Sequence, residues 1–125
     1  MKLLLDTHIY LWWLADSPAL SASARKMIET AEKVYISSAS LWESAIKSGI
    51  GKLDVNQEEL VAGILESGFT ELPVKSEHTV ALLRLENHHK DPFDRMLIAQ
   101  ALSEPLHFLT VDSLLTRYSA LVISV

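Results

Sequence analysis

The chain contains no cysteine, which excludes disulfides and removes the thiolate that a zinc finger, an iron–sulfur cluster or a cysteine nucleophile requires. Any metal must be held by oxygen or imidazole. Positive charge is scarce as well: 11 Lys and Arg stand against 16 Asp and Glu, a formal net charge of -5. Phosphate neutralisation over a broad surface needs clustered Lys and Arg. Either nucleic acid is not the substrate, or the acids are concentrated in a site whose bound cations reverse the local field. Long apolar runs are also missing. The longest, Ile9 to Ala15, falls far short of the roughly 18 to 20 residues that span a bilayer, and Asp6 cuts the apolar stretch after Lys2 before an export signal develops. A cytoplasmic location is the expectation. No G-x-G-x-x-G, P-loop or G-x-S-x-G sequence occurs, which removes the common dinucleotide, NTPase and hydrolase readings.

What remains is an ordinary globular composition. With 125 residues, 49% hydrophobic and 22% charged, the chain suits one ordered domain over residues 1–125, apolar enough to hide a subunit interface as well. Lys2 to Leu5 reads as a buried first strand. From His8 to Ala15 nearly every residue is apolar, so a helix there has no solvated face and is either buried all round or partly covered by another chain. Asp16-Ser17-Pro18 breaks it, and Ser21 to Ala31 gives a more polar helix. Val34-Tyr35-Ile36 is a second strand, followed by Leu41, Trp42, Ala45 and Ile46 at helical spacing up to Gly49 and Gly51. Leu60, Val61, Ile64 and Leu65 mark another helix, with Gly68 as its stop.

Phe69 to Val74 is a third strand, which Pro73 assigns to a sheet edge. Ser76 reads as the cap of a helix through Val80 and Arg84, and Asp91 as the cap of one that starts at Pro92 and runs to Ser103. Leu106 to Val111 is strand four, Asp112 to Tyr118 a short helix, and Leu121 to Val125 the last strand. Strands and helices alternate throughout. The fold class is therefore α/β, a mostly parallel sheet with helices on both faces.

Four acids, Asp6, Glu43, Asp94 and Asp112, stand where strands end or helices begin, which is where open α/β sheets collect ligand-binding residues. Each also has an innocent reading. Asp6 and Asp112 suit N-caps, and Asp94 suits the positive end of a helix. Glu43 completes a Ser40-x-x-Glu43 capping box, with Lys47 four residues on as a surface partner. Taken together they are what a Mg²⁺ or Mn²⁺ site needs, since these hard cations take oxygen ligands. His88-His89 offers imidazole, but in an exposed polar loop and without a third ligand at a recognised spacing. His8, His78 and His107 show no partner. Trp12 and Trp13 read as core or interface, with base stacking as the alternative.

Several segments together resemble a known family. Leu3-Leu4-Leu5-Asp6-Thr7-His8, Ser38-Ala39-Ser40-Leu41-Trp42-Glu43, His89-Lys90-Asp91-Pro92-Phe93-Asp94-Arg95-Met96-Leu97-Ile98-Ala99-Gln100-Ala101 and Thr110-Val111-Asp112 look like the successive motifs of PIN-domain proteins of the VapC toxin type. The similarity spans essentially the full chain. It implies a three-layer α/β/α fold and a metal-dependent endoribonuclease, with the acidic quartet on Asp6, Glu43, Asp94 and Asp112. It also implies one or two Mg²⁺ or Mn²⁺ ions, an RNA substrate, a homodimer and a small antitoxin packed near the active site. Thr7 and Thr110 fall beside the quartet as hydroxyls that support the acids or hold water. Lys47 and Arg95 are candidates to meet the scissile phosphate, with outward ion pairs as the alternative.

Other readings meet obstacles in the residues. A dehalogenase-like phosphatase needs an Asp two positions after the first, where this chain has His8, and Thr7-His8 does not supply the acidic pair of a receiver domain. A catalytically silent PIN-like binding module and a nuclease acting on single-stranded DNA stay open.

Overall fold

The computed structural model describes residues 1–125. Five strands form a single sheet in the order β3-β2-β1-β4-β5: β1 (Lys2–Leu5), β2 (Lys33–Ser37), β3 (Thr70–Leu72), β4 (His107–Thr110) and β5 (Val122–Ser124). Every pairing is parallel, so the sheet is wholly rather than mostly parallel, and β3 with its neighbouring Pro73 lies at an edge as expected. The helices are α1 (Thr7–Leu14), α2 (Ala22–Thr30), α3 (Ser38–Gly49), α4 (Gln57–Glu66), α5 (Ser76–Leu83) and α6 (Pro92–Ser103), followed by a 3-10 helix over Ser113–Tyr118.

Period-two alternation along the strands divides the core into two layers. Leu3 and Leu5, Val34 and Ile36, and Leu109 face one side, with Ile9, Tyr10, Ile28, Ile64 and Phe69 packed over them. Leu4, Phe108 and Val122 face the other, beneath Leu97, Ile98, Ala101 and Leu115. The result is an α/β/α sandwich. Because parallel strands need crossovers, both sheet faces are covered, and β1 is apolar on each side.

Two helix starts differ from the sequence reading. Ser76 is the first residue of α5 rather than its cap, and the amide of Lys75 before it donates to His78 Nδ1 at 2.9 Å. The cap of α3 is Ser37, whose Oγ accepts from the Ala39 amide at 3.0 Å. Ser40 therefore lies inside the helix, and the capping box with Glu43 does not form.

The all-apolar helix α1 is covered on one side only. Ile9 and Tyr10 are buried, Leu11 to Leu14 are half-buried and His8 is exposed. Tyr10 donates its hydroxyl to the Leu60 carbonyl at 2.6 Å, and Trp13 packs on Phe69 with ring centroids 5.6 Å apart. Close approach of α1 to α4 depends on Gly63: a β-carbon there would sit 2.8 Å from Leu14 Cδ2 and 3.0 Å from the Tyr10 hydroxyl. Gly63→Val is expected to destabilise the protein by about 1–3 kcal/mol despite the poor helix propensity of glycine. Chemical denaturation checks this, and an unchanged midpoint would show that α1 is not seated on Gly63.

Candidate active site

The chain builds β1, β2 and β3 outward in one direction, then returns to lay β4 and β5 on the other side of β1. That reversal falls between β1 and β4, and the carboxyl ends of the strands at such a reversal are the usual place for ligands in open α/β sheets. Asp6 follows β1 directly, and Asp112 comes two residues after β4.

Asp6 stands at the N-cap position of α1, yet its side chain caps nothing. Instead Thr110 Oγ1 donates to Asp6 Oδ2 at 2.6 Å, and the same hydroxyl oxygen accepts the Asp112 amide at 3.1 Å. One threonine thus ties the first acid to the backbone of the last. Asp6 is only 5% exposed. Burial pushes its pKa above the usual carboxylate value, with the Thr110 and Thr7 hydrogen bonds opposing and the nearby Glu43 charge adding to the rise.

Helix α3 inverts the usual rule of apolar inside and polar outside. Its buried residues are Ala39, Ser40, Glu43 and Ser44, whereas Trp42, Ile46 and Ile50 are exposed. Thr7 Oγ1 lies 2.8 Å from Glu43 Oε1 and 2.9 Å from Ser40 Oγ. Since an ionised carboxylate only accepts, the single Thr7 proton goes to Glu43 and Ser40 donates to Thr7. Lys47 Nζ lies 2.7 Å from Glu43 Oε2. That hydrogen bond is the leading reason the Lys47 pKa is raised, with Asp91 and Asp94 contributing further negative charge. Lys47 therefore points at the acidic cluster, and its pairing with Glu43 is partly buried rather than a surface pair.

Asp94 occupies the first turn of α6 behind the Asp91 cap, whose Oδ1 accepts from the Phe93 and Asp94 amides. Burial, then Asp6, then Asp91 raise its pKa to about 6, and His89 opposes the rise. His89 Nε2 lies 2.9 Å from Asp94 Oδ2. The sequence predicts an exposed polar loop for this histidine, whereas it is half-buried against Asp94; the signal in the sequence is its place five residues before an acid at a helix start. Arg95 turns away from the cluster. It donates to the carbonyls of Glu86 and His89 and to the Tyr118 hydroxyl, bracing the loop that presents His89.

Asp6, Glu43, Asp94 and Lys47 share one electrostatic neighbourhood. Asp112 joins it through Thr110, and one of its oxygens caps the 3-10 helix by accepting from Leu114. No three of the four carboxylates bring oxygens within 4.8 Å of one another. Mg²⁺ keeps several waters and is held by one or two carboxylates, so this hard-oxygen donor set fits a hydrated divalent ion rather than a fully protein-ligated one. The only trio within that spacing, Glu77, His78 and Glu104, lies elsewhere. Its imidazole is committed on both nitrogens, to Glu104 and to the Lys75 amide.

The architecture is similar to that of several solved structures. VapBC2 from Rickettsia felis, bound to a DNA fragment from its promoter, superposes with a TM-score of 0.70 at 17% identity, covering 100% of this chain and 98% of the other. FitAB bound to IR36 DNA gives a TM-score of 0.68 at 18% identity over 98% and 94% of the two chains. A toxin–antitoxin complex from Klebsiella pneumoniae gives 0.67 at 16% identity over 97% and 95%. Comparison with the curated proteins gives no match. At the level of sequence families, residues 3–121 match the PIN domain, and with that span this chain belongs to the PIN domain family.

Proposed function

We propose that the chain is a divalent-metal-dependent endoribonuclease of the VapC type, the toxin of a toxin–antitoxin pair. The observation that supports this reading best is Asp6, a buried carboxylate at the strand-order reversal, with Glu43 and Asp94 close by, Asp112 tied in through Thr110, and Lys47 as the one lysine or arginine paired within the cluster. Such an arrangement is costly without a counter-charge. Mg²⁺ or Mn²⁺ at Asp6, Glu43, Asp94 and Asp112 would lower the pKa of a bound water and screen the scissile phosphate.

The protein's own groups then divide the work. Thr110 fixes the Asp6 carboxylate and Thr7 fixes Glu43, each through its hydroxyl. Lys47 is the cation placed to meet phosphate. Arg95, read from sequence as a second candidate, instead holds the His89 loop in place. The acids supply no attraction for RNA on their own, which makes substrate binding depend on the same cation.

Two surfaces suit the implied partners. The half-buried side of α1 opens on a groove of about 770 Å³ that includes Leu11, Trp12, Leu14, Leu53 and Gly63, and we assign it to the antitoxin. Along α3, Trp42, Ile46 and Ile50 recur every four residues on the outward face, with Trp42 64% exposed. An i, i+4 ridge of this kind packs on a copy of itself, and we assign it to the homodimer. No helix is long and apolar enough to cross a membrane.

Cleavage of a mixed RNA pool by the purified protein in Mn²⁺ is expected, with complete loss in EDTA. Asp6→Asn and Asp94→Asn should each reduce cutting at least a hundredfold while the circular dichroism spectrum is unchanged, on the order expected for loss of a metal ligand. Full activity in folded Asp94→Asn would overturn the assignment, and equal digestion of matched single-stranded DNA would change the substrate.

A pH effect follows from Asp94. Folded Asp94 holds its proton up to about pH 6, against an ordinary pKa of 3.8, so between those values the folded state binds more protons than the unfolded chain. Stability of the metal-free protein therefore falls as pH rises through that window. A bound cation offsets the loss, so Mn²⁺ should raise the melting temperature more at pH 7.5 than at pH 5. A shift that is the same at both pH values would argue against Asp94 as a ligand.

Trp42→Glu should convert a dimer to a monomer by light scattering; a dimer that persists would move the interface elsewhere.

A further inference from the structure

Gln100 is a polar residue with no exposure, set in α6 between Ala99 and Ala101, which are buried as well. Its carboxamide touches three elements. Ser37 Oγ donates to Gln100 Oε1 at 2.5 Å, Gln100 Nε2 donates to the Pro73 carbonyl at 3.3 Å, and the same nitrogen lies 3.4 Å from His78 Nδ1. The orientation is unambiguous, because reversing the amide would set its oxygen against two acceptors. Ser37 is satisfied too: its one proton goes to Gln100, and its oxygen accepts the Ala39 amide at 3.0 Å.

Ser37 is the N-cap of α3, the helix that places Glu43, and α6 places Asp94. The chain of contacts therefore runs from the helix of one acid, through a cap and an amide, to the helix of another. His78 anchors the far end, since its Nε2 lies 2.6 Å from Glu104 Oε2, also at the end of α6. Every link is buried or half-buried, where a broken hydrogen bond is not replaced by water.

Resting on the metal-site reading above, we propose that Gln100 is a positioning residue, a clamp that holds the start of α3 against α6 and so sets Glu43 relative to Asp94. Nothing requires an amide at this point for packing, because a methionine side chain fills similar volume. What methionine cannot do is hold the Ser37 hydroxyl. Without that restraint the first turn of α3 loosens, and Glu43 shifts on a scale that ligand geometry does not tolerate.

The test compares wild type, Gln100→Met, Ser37→Ala, the double variant, and Phe108→Leu as a control in the core of the same sheet face. Two readings are taken: Mn²⁺ affinity by electron paramagnetic resonance, and amide exchange of the metal-free protein. Gln100→Met is expected to weaken Mn²⁺ about tenfold, as supporting residues around a metal site do, and to lower protection at Ala39 to Leu41 relative to β4. The double variant should lose no more Mn²⁺ affinity than the worse single one, since both cut one path. Phe108→Leu should lower the melting temperature without either effect.

Unchanged exchange and affinity in Gln100→Met, with only a lower melting temperature, would overturn the clamp. Multiplying losses in the double variant would also overturn it. If wild type binds no Mn²⁺, the metal reading fails, and exchange at the start of α3 judges the clamp separately. Should Gln100→Met not fold, Gln100→Leu, which leaves the Ser37 cap in place, is read instead by the same two measurements.

Discussion

A carboxylate buried at the end of the central strand is the constraint around which this molecule is arranged. Asp6 sits where β1 gives way to α1, flanked by β4, with almost no access to water. Desolvation of an ionised carboxyl is expensive, and hydrogen bonds return only part of it. Thr110 returns the larger part of this by pointing its hydroxyl at Oδ2, and the Thr7 amide adds a smaller part. Glu43 and Asp94 then oppose what was gained. A fold selected for stability alone would place an apolar residue here. On the proposed metal-site reading the unfavourable charge is used, because a site already holding focused negative potential would bind a divalent ion without first having to assemble one.

The same logic explains why α3 is inverted. A helix that must carry Glu43 inward needs polar neighbours there, and Ser40 and Ser44 are small enough to be buried beside it while satisfying their hydroxyls. Ser44 does so by donating to the Ser40 carbonyl at 2.8 Å. With polar residues occupying the inner face, the apolar ones fall outward, and the helix leaves Trp42, Ile46 and Ile50 uncovered. An exposed apolar ridge and a buried acidic site are thus two faces of a single placement. Departures from local rules of this kind concentrate at functional positions.

Much of this was legible in the sequence. Strand alternation and the caps around Asp91-Pro92 gave the element order, and the strand ends pointed to Asp6 and Asp112. Strand order was not read, because pairing depends on crossovers whose direction no single segment reveals. Glu43 was ambiguous for a local reason: Ser-x-x-Glu is the pattern of a capping box, and only the tertiary fold shows that Ser37 takes the cap while Thr7, 36 residues away in sequence, takes the glutamate. The apolar residues of α3 announced a helix correctly, but of Leu41, Trp42, Ala45 and Ile46 only Leu41 packs against the core, and the other three face outward. Gln100 offered a subtler signal, a polar residue within the apolar stretch Leu97 to Leu102, and its partners lie on other elements.

The placement of cations completes the electrostatic argument. Eleven Lys and Arg are available, yet Lys47 is the one whose titration reflects Glu43, Asp91 and Asp94 together. Arg95, adjacent to Asp94 in sequence, spends its guanidinium on carbonyls and on Tyr118 instead. Had Arg95 paired with Asp94, the cluster would carry its own neutralising charge and a divalent ion would have to compete with a permanent guanidinium. Lysine at a partly exposed position is a different kind of partner: on the proposed reading, its single ammonium on a flexible stem would be free to meet a phosphate if a metal ion were held by Glu43. The loop braced by Arg95 meanwhile holds His89 against Asp94. An imidazole is a weaker competitor than a guanidinium, so the acid keeps a hydrogen-bond partner without being closed to metal. The charge balance of this site is therefore left incomplete at the point where a cation and a polyanionic substrate would meet.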